Sequence, residues 1–375
     1  MDRRPLCQAL PAHGCGDGLA RAEAVAPRAR IKKRLIIVGI LAFLALGAWY
    51  TLRPGPPQSR LLVGVDDDTL KWTSDPLGVI AWQQSLGVQA VRVWVPWEGE
   101  LRPAGPVPTE LARAEQAAQR TRVVLAIFGF ARSTPKTPAQ QERFCSYAQS
   151  ALGAVPHARA VVVWNEANSH TYWNGTPQQY EALLARCYDA LHRKGVSILD
   201  STASGHAPEA FLGAVGAAYR ASGRARPIVD AFGHNPYPAS GLELPTAVHE
   251  TGFVGEGDYS RFVDVLERAF GRKPAIWYLE DGFQSVIPTK LRWRYSGREN
   301  VQAITAAEQS QRLAQAIELA GCQPNVHAFF NFEFVDETRL SGWQSGLIWR
   351  GVRRKPAAAA FALAARHAGT HCPSH

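Results

Sequence analysis

From Leu61 onward the chain alternates short apolar runs with stretches of helical period. "LLVGVDDD" (61–68) leads to "LGVIAWQQSLG" (77–87), and "AVRVWVPW" (90–97) to "ELARAEQAAQR" (110–120). "RVVLAIFGF" (122–130) precedes "AQQERFCSYAQSAL" (139–152), and "AVVVWNE" (160–166) precedes "PQQYEALLARCYDALHRKG" (177–195). The alternation continues with "SILDSTASG" (197–205) and a helix at 208–223, then "IVDAFGHNPYP" (228–238) and a helix at 260–271. "AIWYLEDGF" (275–283) with 304–321, and "VHAFFNFEF" (326–334) with 355–369, complete the set. These runs are nearly continuous in apolar character, as strands are when both faces of a parallel sheet are covered. Eight strand–helix units closing on themselves predict an α/β (β/α)8 TIM barrel over residues 61–375. A doubly wound open sheet fits less well. Its first turn wants a Gly-rich phosphate cradle, and the acidic "VGVDDD" stands there instead.

Upstream, the pattern changes. "LIIVGILAFLALGAWYTL" (35–52) runs eighteen residues without a charge. At about 1.5 Å per residue that barely crosses a bilayer core. Arg28, Arg30, Lys32, Lys33 and Arg34 precede it, and Trp49 and Tyr50 suit the far interface. The expectation is a basic cytoplasmic segment (1–34), a single membrane anchor (35–52), a Pro-rich linker (53–60) and an extracytoplasmic barrel. A cleaved signal peptide, giving a secreted protein, is the alternative.

Charge adds little beyond this. Of the net +9, residues 1–34 hold +5, from eight Lys/Arg against three Asp/Glu. No basic stripe with interleaved aromatics remains, so no nucleic-acid partner is expected. Cys145, Cys187, Cys322 and Cys372 fall on the outer side of the anchor, an even number in an oxidising compartment. Three pairings are possible. Cys145–Cys187 and Cys322–Cys372 are expected because each joins neighbouring elements of the layout. The spacings are not those of a zinc site, and no metal or cofactor is assigned.

In a (β/α)8 barrel the chemistry sits at the C-terminal strand ends. Here the fourth strand ends in Trp164-Asn165-Glu166 and the seventh in Trp277-Tyr278-Leu279-Glu280. A single Glu after a strand is ordinarily an exposed residue or an ion-pair partner. Two at matching ends, both following runs that would be buried, need another reason. Paired carboxylates across a cleft are the minimum machinery for glycosidic bond hydrolysis.

"WNEAN" and "WYLEDGF", 114 residues apart, make the chain resemble the clan A glycoside hydrolases, which include (β/α)8 cellulases, mannanases and xylosidases. The resemblance covers roughly residues 61–369. It implies a retaining glycosidase acting on a poly- or oligosaccharide, with Glu166 as acid/base and Glu280 as nucleophile. It further implies that Arg92 of "VRVWVPW" supports the nucleophile and that Asn165 bonds the sugar 2-OH. In "FGHNPYP", Tyr237 would donate to Glu280 and His234 would contact the sugar, although a hydrogen-bonded core role for His234 fits equally. Strand eight departs from the pattern, because "FFNFEFVDE" lacks the usual Trp floor, and Phe332 or Trp343 is the substitute. "GLIWRGVRRKPA" is similar to family 39 enzymes and bacterial exopolysaccharide glycosidases before their last helix. Asp66 to Asp68 are expected in a solvated loop, or with one Asp on substrate. Trp72, Trp94, Trp97 and Trp173 are candidate stacking platforms, with core packing expected to claim about half of them. Two rival functions fit the sequence less well. A non-catalytic carbohydrate-binding barrel would not need two opposed carboxylates, and a metal-dependent lyase would want a Lys at a strand end that this chain lacks.

Overall fold

The computed structural model describes residues 61–99, 106–351, 353–370 and Cys372. The basic segment, the expected anchor at 35–52 and the linker lie outside the described residues. Among the described residues, no helix is long and apolar enough to cross a membrane.

The strands are β1 (Leu62–Asp66), β2 (Ala90–Pro96), β3 (Arg122–Phe128), β4 (Ala160–Val163), β5 (Ser197–Leu199), β6 (Thr202–Ala203), β7 (Phe232–Asn235), β8 (Ile276–Asp281) and β9 (Val326–Phe332). They form one sheet in the order β5-β4-β3-β2-β1-β9-β8-β7-β6, parallel throughout. β5 and β6 are two pieces of one stretch, one pairing with β4 and the other with β7, and Leu199 also bridges Ala231. The sheet therefore curls round until residues 197–203 join its two edges. This is the expected TIM-barrel-like α/β arrangement, with the fifth strand broken.

The break has a local cause. Asp200 turns its carboxylate onto the backbone N–H of Gly233 at 2.8 Å, replacing a ladder bond with a side-chain one. A Cβ on Gly233 would meet the Asp200 carbonyl at 2.1 Å, so only glycine permits this approach.

Among the described residues, eight helices of ten or more residues cover the outside: α1 (Pro76–Ser85), α2 (Pro108–Ala118), α3 (Pro138–Ala154), α4 (Pro177–Leu191), α5 (Pro208–Ala221), α6 (Tyr259–Phe270), α7 (Ala306–Gly321) and α8 (Pro356–His367). Several start where the sequence says they must. Thr137, Thr176 and Thr305 cap α3, α4 and α7 in reciprocal boxes with Gln140, Gln179 and Glu308. Proline follows the first two caps, where its missing N–H costs nothing. The core is the wall between strands and helices, and β1, β3 and β4 place Val63, Leu125, Ile127 and Val161 in it with no exposure. Both expected disulfides form. Cys145–Cys187 ties α3 to α4, and Cys322–Cys372 ties the end of α7 to the chain beyond α8.

Candidate active site

Arg92 sits inside β2 in register with Asp66 of β1 and is 2% exposed. A guanidinium there requires anionic neighbours, because desolvation alone is prohibitive. It has two. Nη1 donates to both Asp66 and Glu280, the latter at 2.6 Å, and Nη2 donates to Asn165 Oδ1 at 3.0 Å. One cation thus ties together the ends of β1, β4 and β8. The expected support of Glu280 by Arg92 is present in the geometry, and Asp66 is a partner the sequence reading missed.

Glu280 is the last residue but one of β8 and is 7% exposed. Its second oxygen accepts from the Tyr237 hydroxyl at 3.3 Å, so both oxygens are held. Burial, followed by the charge of Glu280, keeps the Tyr237 phenol well above the usual range and therefore protonated.

Glu166 reaches the same place by a strained turn. β4 stops at Val163, and Trp164 and Glu166 take left-handed backbone angles (φ 70° and 41°) that non-glycine residues rarely adopt. Strain of this kind persists only where surrounding contacts hold it. Trp164 is fully buried between Phe144 and Trp173, and the Ala167 N–H bonds the Ser201 carbonyl at 3.0 Å. Burial first, and the Glu280 charge second, push the Glu166 carboxyl up to about 7; the Asn235 bond and the Arg92 charge act the other way.

Asn165 precedes Glu166 in the chain, is bonded to the same Arg92 that holds Glu280, and is 2% exposed. Its Oδ1 is taken by Arg92 and by Ser201 Oγ at 3.2 Å, which leaves the amide NH2 for the cavity.

His234 is placed elsewhere. It is completely buried, with Nε2 on the Val254 carbonyl at 2.9 Å, Nδ1 on Thr202 Oγ1 at 3.0 Å and its ring against Phe262. Burial holds it down to about 4, so it is neutral. The expected sugar contact is corrected to a role in the barrel wall. The residue beside it, Asn235, takes the cavity side and donates to Glu166 Oε1 at 2.9 Å. Strand alternation held the signal. If Tyr237 faces the cavity, Asn235 two positions earlier faces it too, and His234 faces away.

These groups surround a cavity of about 480 Å³ at the C-terminal strand ends. Trp343 lines it, 4.7 Å from the Tyr237 ring and 5.3 Å from Phe332, so both substitutes expected for the missing Trp share one aromatic wall. Of the expected platforms, Trp72 and Trp94 line the cavity. Trp97 packs on Phe144 and Tyr147, and Trp173 is buried against Trp164 and Tyr180. The acidic triplet is no solvated loop. Asp66 pairs with Arg92, Asp67 accepts from Thr69 and Gln83, and Asp68 pairs with Lys71 at 2.9 Å. Burial pushes Asp67 up to about 7. Glu333, for which the sequence suggested no role, also lines the cavity, and burial reinforced by Glu337 and Asp67 holds it well above the carboxylate range.

No protein-family model matches the sequence, and no curated protein matches it either. Solved structures do match. A family 39 glycoside hydrolase from Bacteroides cellulosilyticus superposes with a TM-score of 0.64 at 17% identity, over 82% of this chain and 64% of its own. The chain thus spans less than two thirds of that enzyme. A GH5_18 variant from Bifidobacterium longum, in complex with Manβ1-4GlcNAc, gives 0.58 at 13% identity over 84% and 80%. The GH53 catalytic domain of Ignisphaera aggregans gives 0.60 at 16% identity over 83% and 98%. At these identities the likeness is one of fold: the chain folds as these glycoside hydrolase structures do.

Proposed function

We propose that the protein is a retaining glycoside hydrolase acting on an extracytoplasmic poly- or oligosaccharide. The observation that carries this reading is the pairing of Glu166 and Glu280 in one cavity with opposite electrostatic support. Glu280 is held at both oxygens by donors, Arg92 Nη1 on one and the Tyr237 hydroxyl on the other. Among the described residues, Glu166 is bonded by the neutral Asn235 amide and not by a cation, and it is pushed up to about 7, so it carries a proton near neutral pH.

The roles follow from that difference. Glu280 attacks the anomeric carbon while Glu166 gives its proton to the departing glycosidic oxygen, leaving a sugar esterified to Glu280. Glu166, now an anion, takes a proton from water, and the water oxygen displaces Glu280 from the sugar. Both carboxyls return to their starting states. The Asn165 amide NH2 is placed to bond a sugar hydroxyl, and the Tyr237–Phe332–Trp343 wall offers ring faces to a pyranose. The fold shared with glycoside hydrolases supports this reading, as does the GH5_18 variant that binds a disaccharide.

The outer location is supported by the two disulfides, which suit an oxidising compartment. Anchorage through residues 35–52 is supported by their uncharged run behind five basic residues. Protease treatment of intact cells tests the topology, because loss of the barrel with survival of an N-terminal tag is required.

The chemical test is trapping. An activated 2-fluoro-glycoside panel should leave one sugar on Glu280, read by peptide mass spectrometry. Adduct on another residue, or turnover that survives Glu280→Ala, sinks the assignment.

A further inference from the structure

The cavity holds more negative charge than its two catalytic carboxyls account for. Asp66, Asp67, Asp68, Glu333, Asp336 and Glu337 also line it, and the cationic side chains lining it are Arg92 and Arg350. Most of the acidic groups have a partner. Asp66 shares Arg92, Asp68 pairs with Lys71 at 2.9 Å, and Asp336 pairs with the buried Lys355 at 2.7 Å. Asp67 is bonded by Thr69 and Gln83, and Arg350 stands exposed. Glu333 is the exception. Its carboxyl is buried, although the residue keeps part of its surface on the cavity, and among the described residues no hydrogen bond or ion pair reaches that carboxyl. The charges foremost around it are those of Glu337, Asp67, Asp66 and Asp336.

A buried carboxyl without a donor is costly, and surrounding anions raise the cost further. Folded proteins avoid the arrangement unless something else supplies the partner. A hydroxyl could bond one oxygen but would leave the local excess of negative charge in place, whereas a cation answers both. A sugar carries a cation when it bears a free amine.

Position decides which sugar. Glu333 follows β9, which pairs with the β8 strand of Glu280 on one side and with the β1 strand of Asp66 on the other. Glu166 follows β4, across the barrel. The proton donor sits beside the departing oxygen, so the sugar retained on Glu280, and any unit beyond it, lies toward β9 and β1.

We propose that Glu333, with Asp67 and Glu337 beside it, receives the ammonium group of a de-N-acetylated hexosamine on the Glu280 side of the scissile bond. The inference rests on the glycosidase reading and narrows its substrate to a cationic glycan. An ammonium brings N–H donors to a place where the protein offers acceptors, and N-acetylation removes the charge and most of those donors.

The test measures kcat/KM on the full chain for glucosamine and galactosamine oligosaccharides of two to six units, each as the free amine and as the N-acetyl form. The matching gluco- and galacto-oligosaccharides complete the set, at about pH 6 so that the amines are charged. The variants are Glu333→Gln, which keeps the shape and removes the charge, and Glu142→Gln as control, an exposed carboxylate on α3 that does not line the cavity. We expect the wild type to prefer the free amine over both neutral forms by roughly tenfold. Glu333→Gln should lose most of that preference, and Glu142→Gln should keep it. A wild type without the preference, or equal losses by Glu333→Gln on charged and neutral sugars, overturns the amine site and leaves the hydrolase standing. If Glu333→Gln does not fold, Glu337→Gln takes its place: a reduced preference supports the site and an unchanged one overturns it. If no sugar is turned over, the hydrolase reading fails and calorimetric titration with the same sugars decides the amine site. Tighter binding of the free amine, lost in Glu333→Gln, supports it; equal binding of all forms, or none, overturns it.

Discussion

Arg92 and Glu280, 188 positions apart in the chain, meet at 2.6 Å inside the barrel, and Asp66 shares the same guanidinium nitrogen. One buried cation therefore holds two buried carboxylates. Removing it leaves two uncompensated charges rather than one lost contact. Arg92→Met should cost about 3–5 kcal/mol in folding stability, read as a lower urea midpoint at pH 7. Burial holds the Asp66 carboxyl well above its ordinary range, so it can shed its charge by taking up a proton, and the deficit should shrink as pH falls. A variant as stable as the parent at pH 7 would show that the network carries no structural weight.

Glu166 links activity to pH. With its carboxyl near 7, the proton donor is lost as pH rises through that value, so kcat/KM should fall on the alkaline side. Stability follows the same sign. A carboxyl raised above its unfolded value of about 4.3 contributes stability that is full below that value and is lost as pH climbs to about 7. Glu166→Gln should thus be more stable than the parent above pH 7, by roughly 1–3 kcal/mol, with no advantage at pH 4. Thermal melts at the two pH values check this.

Asn235 donates to Glu166 and so favours its ionised form. Asn235→Ala should push the Glu166 carboxyl higher and move the alkaline limb of the pH profile upward. A structural defect alone would lower the rate at every pH and leave the limb where it was.

Leaving-group dependence separates the two carboxylates. Glu166→Ala should abolish hydrolysis of poor leaving groups yet spare activated aryl glycosides in the first step, whereas Glu280→Ala should lose both. Equal loss for Glu166→Ala on the two classes would count against its acid role.

The Cys145–Cys187 bridge closes a separation of 42 residues between adjacent helices. Cys145→Ser with Cys187→Ser should cost about 3–4 kcal/mol by the loop-entropy relation, seen as a lower midpoint that is no longer sensitive to reductant through this pair.

Much of the molecule is legible without coordinates because its signals are local. Apolar runs of strand length, Thr caps with Gln or Glu three residues on, and a Glu at the end of a strand are each read within a few residues of chain. Register errors arise where one residue decides a face. "FGHNPYP" offers a histidine and an asparagine side by side, and residue type favours the histidine while alternation favours the asparagine. The broken fifth strand escaped for a similar reason, since Asp200 satisfies the Gly233 N–H only once β7 lies against it.

The amino-acid sequence by itself determined the order of eight strand–helix units, where several helices start and the two carboxylates at matching strand ends. Periodicity and capping depend on neighbours in the chain, so they need no fold to be read. The tertiary structure alone decided that Asp66 shares Arg92 with Glu280, that Asn235 and not His234 meets Glu166, and that Glu333 lines the cavity. Each of those depends on which way a side chain points across strands distant in sequence. Only the closing of the sheet sets that direction.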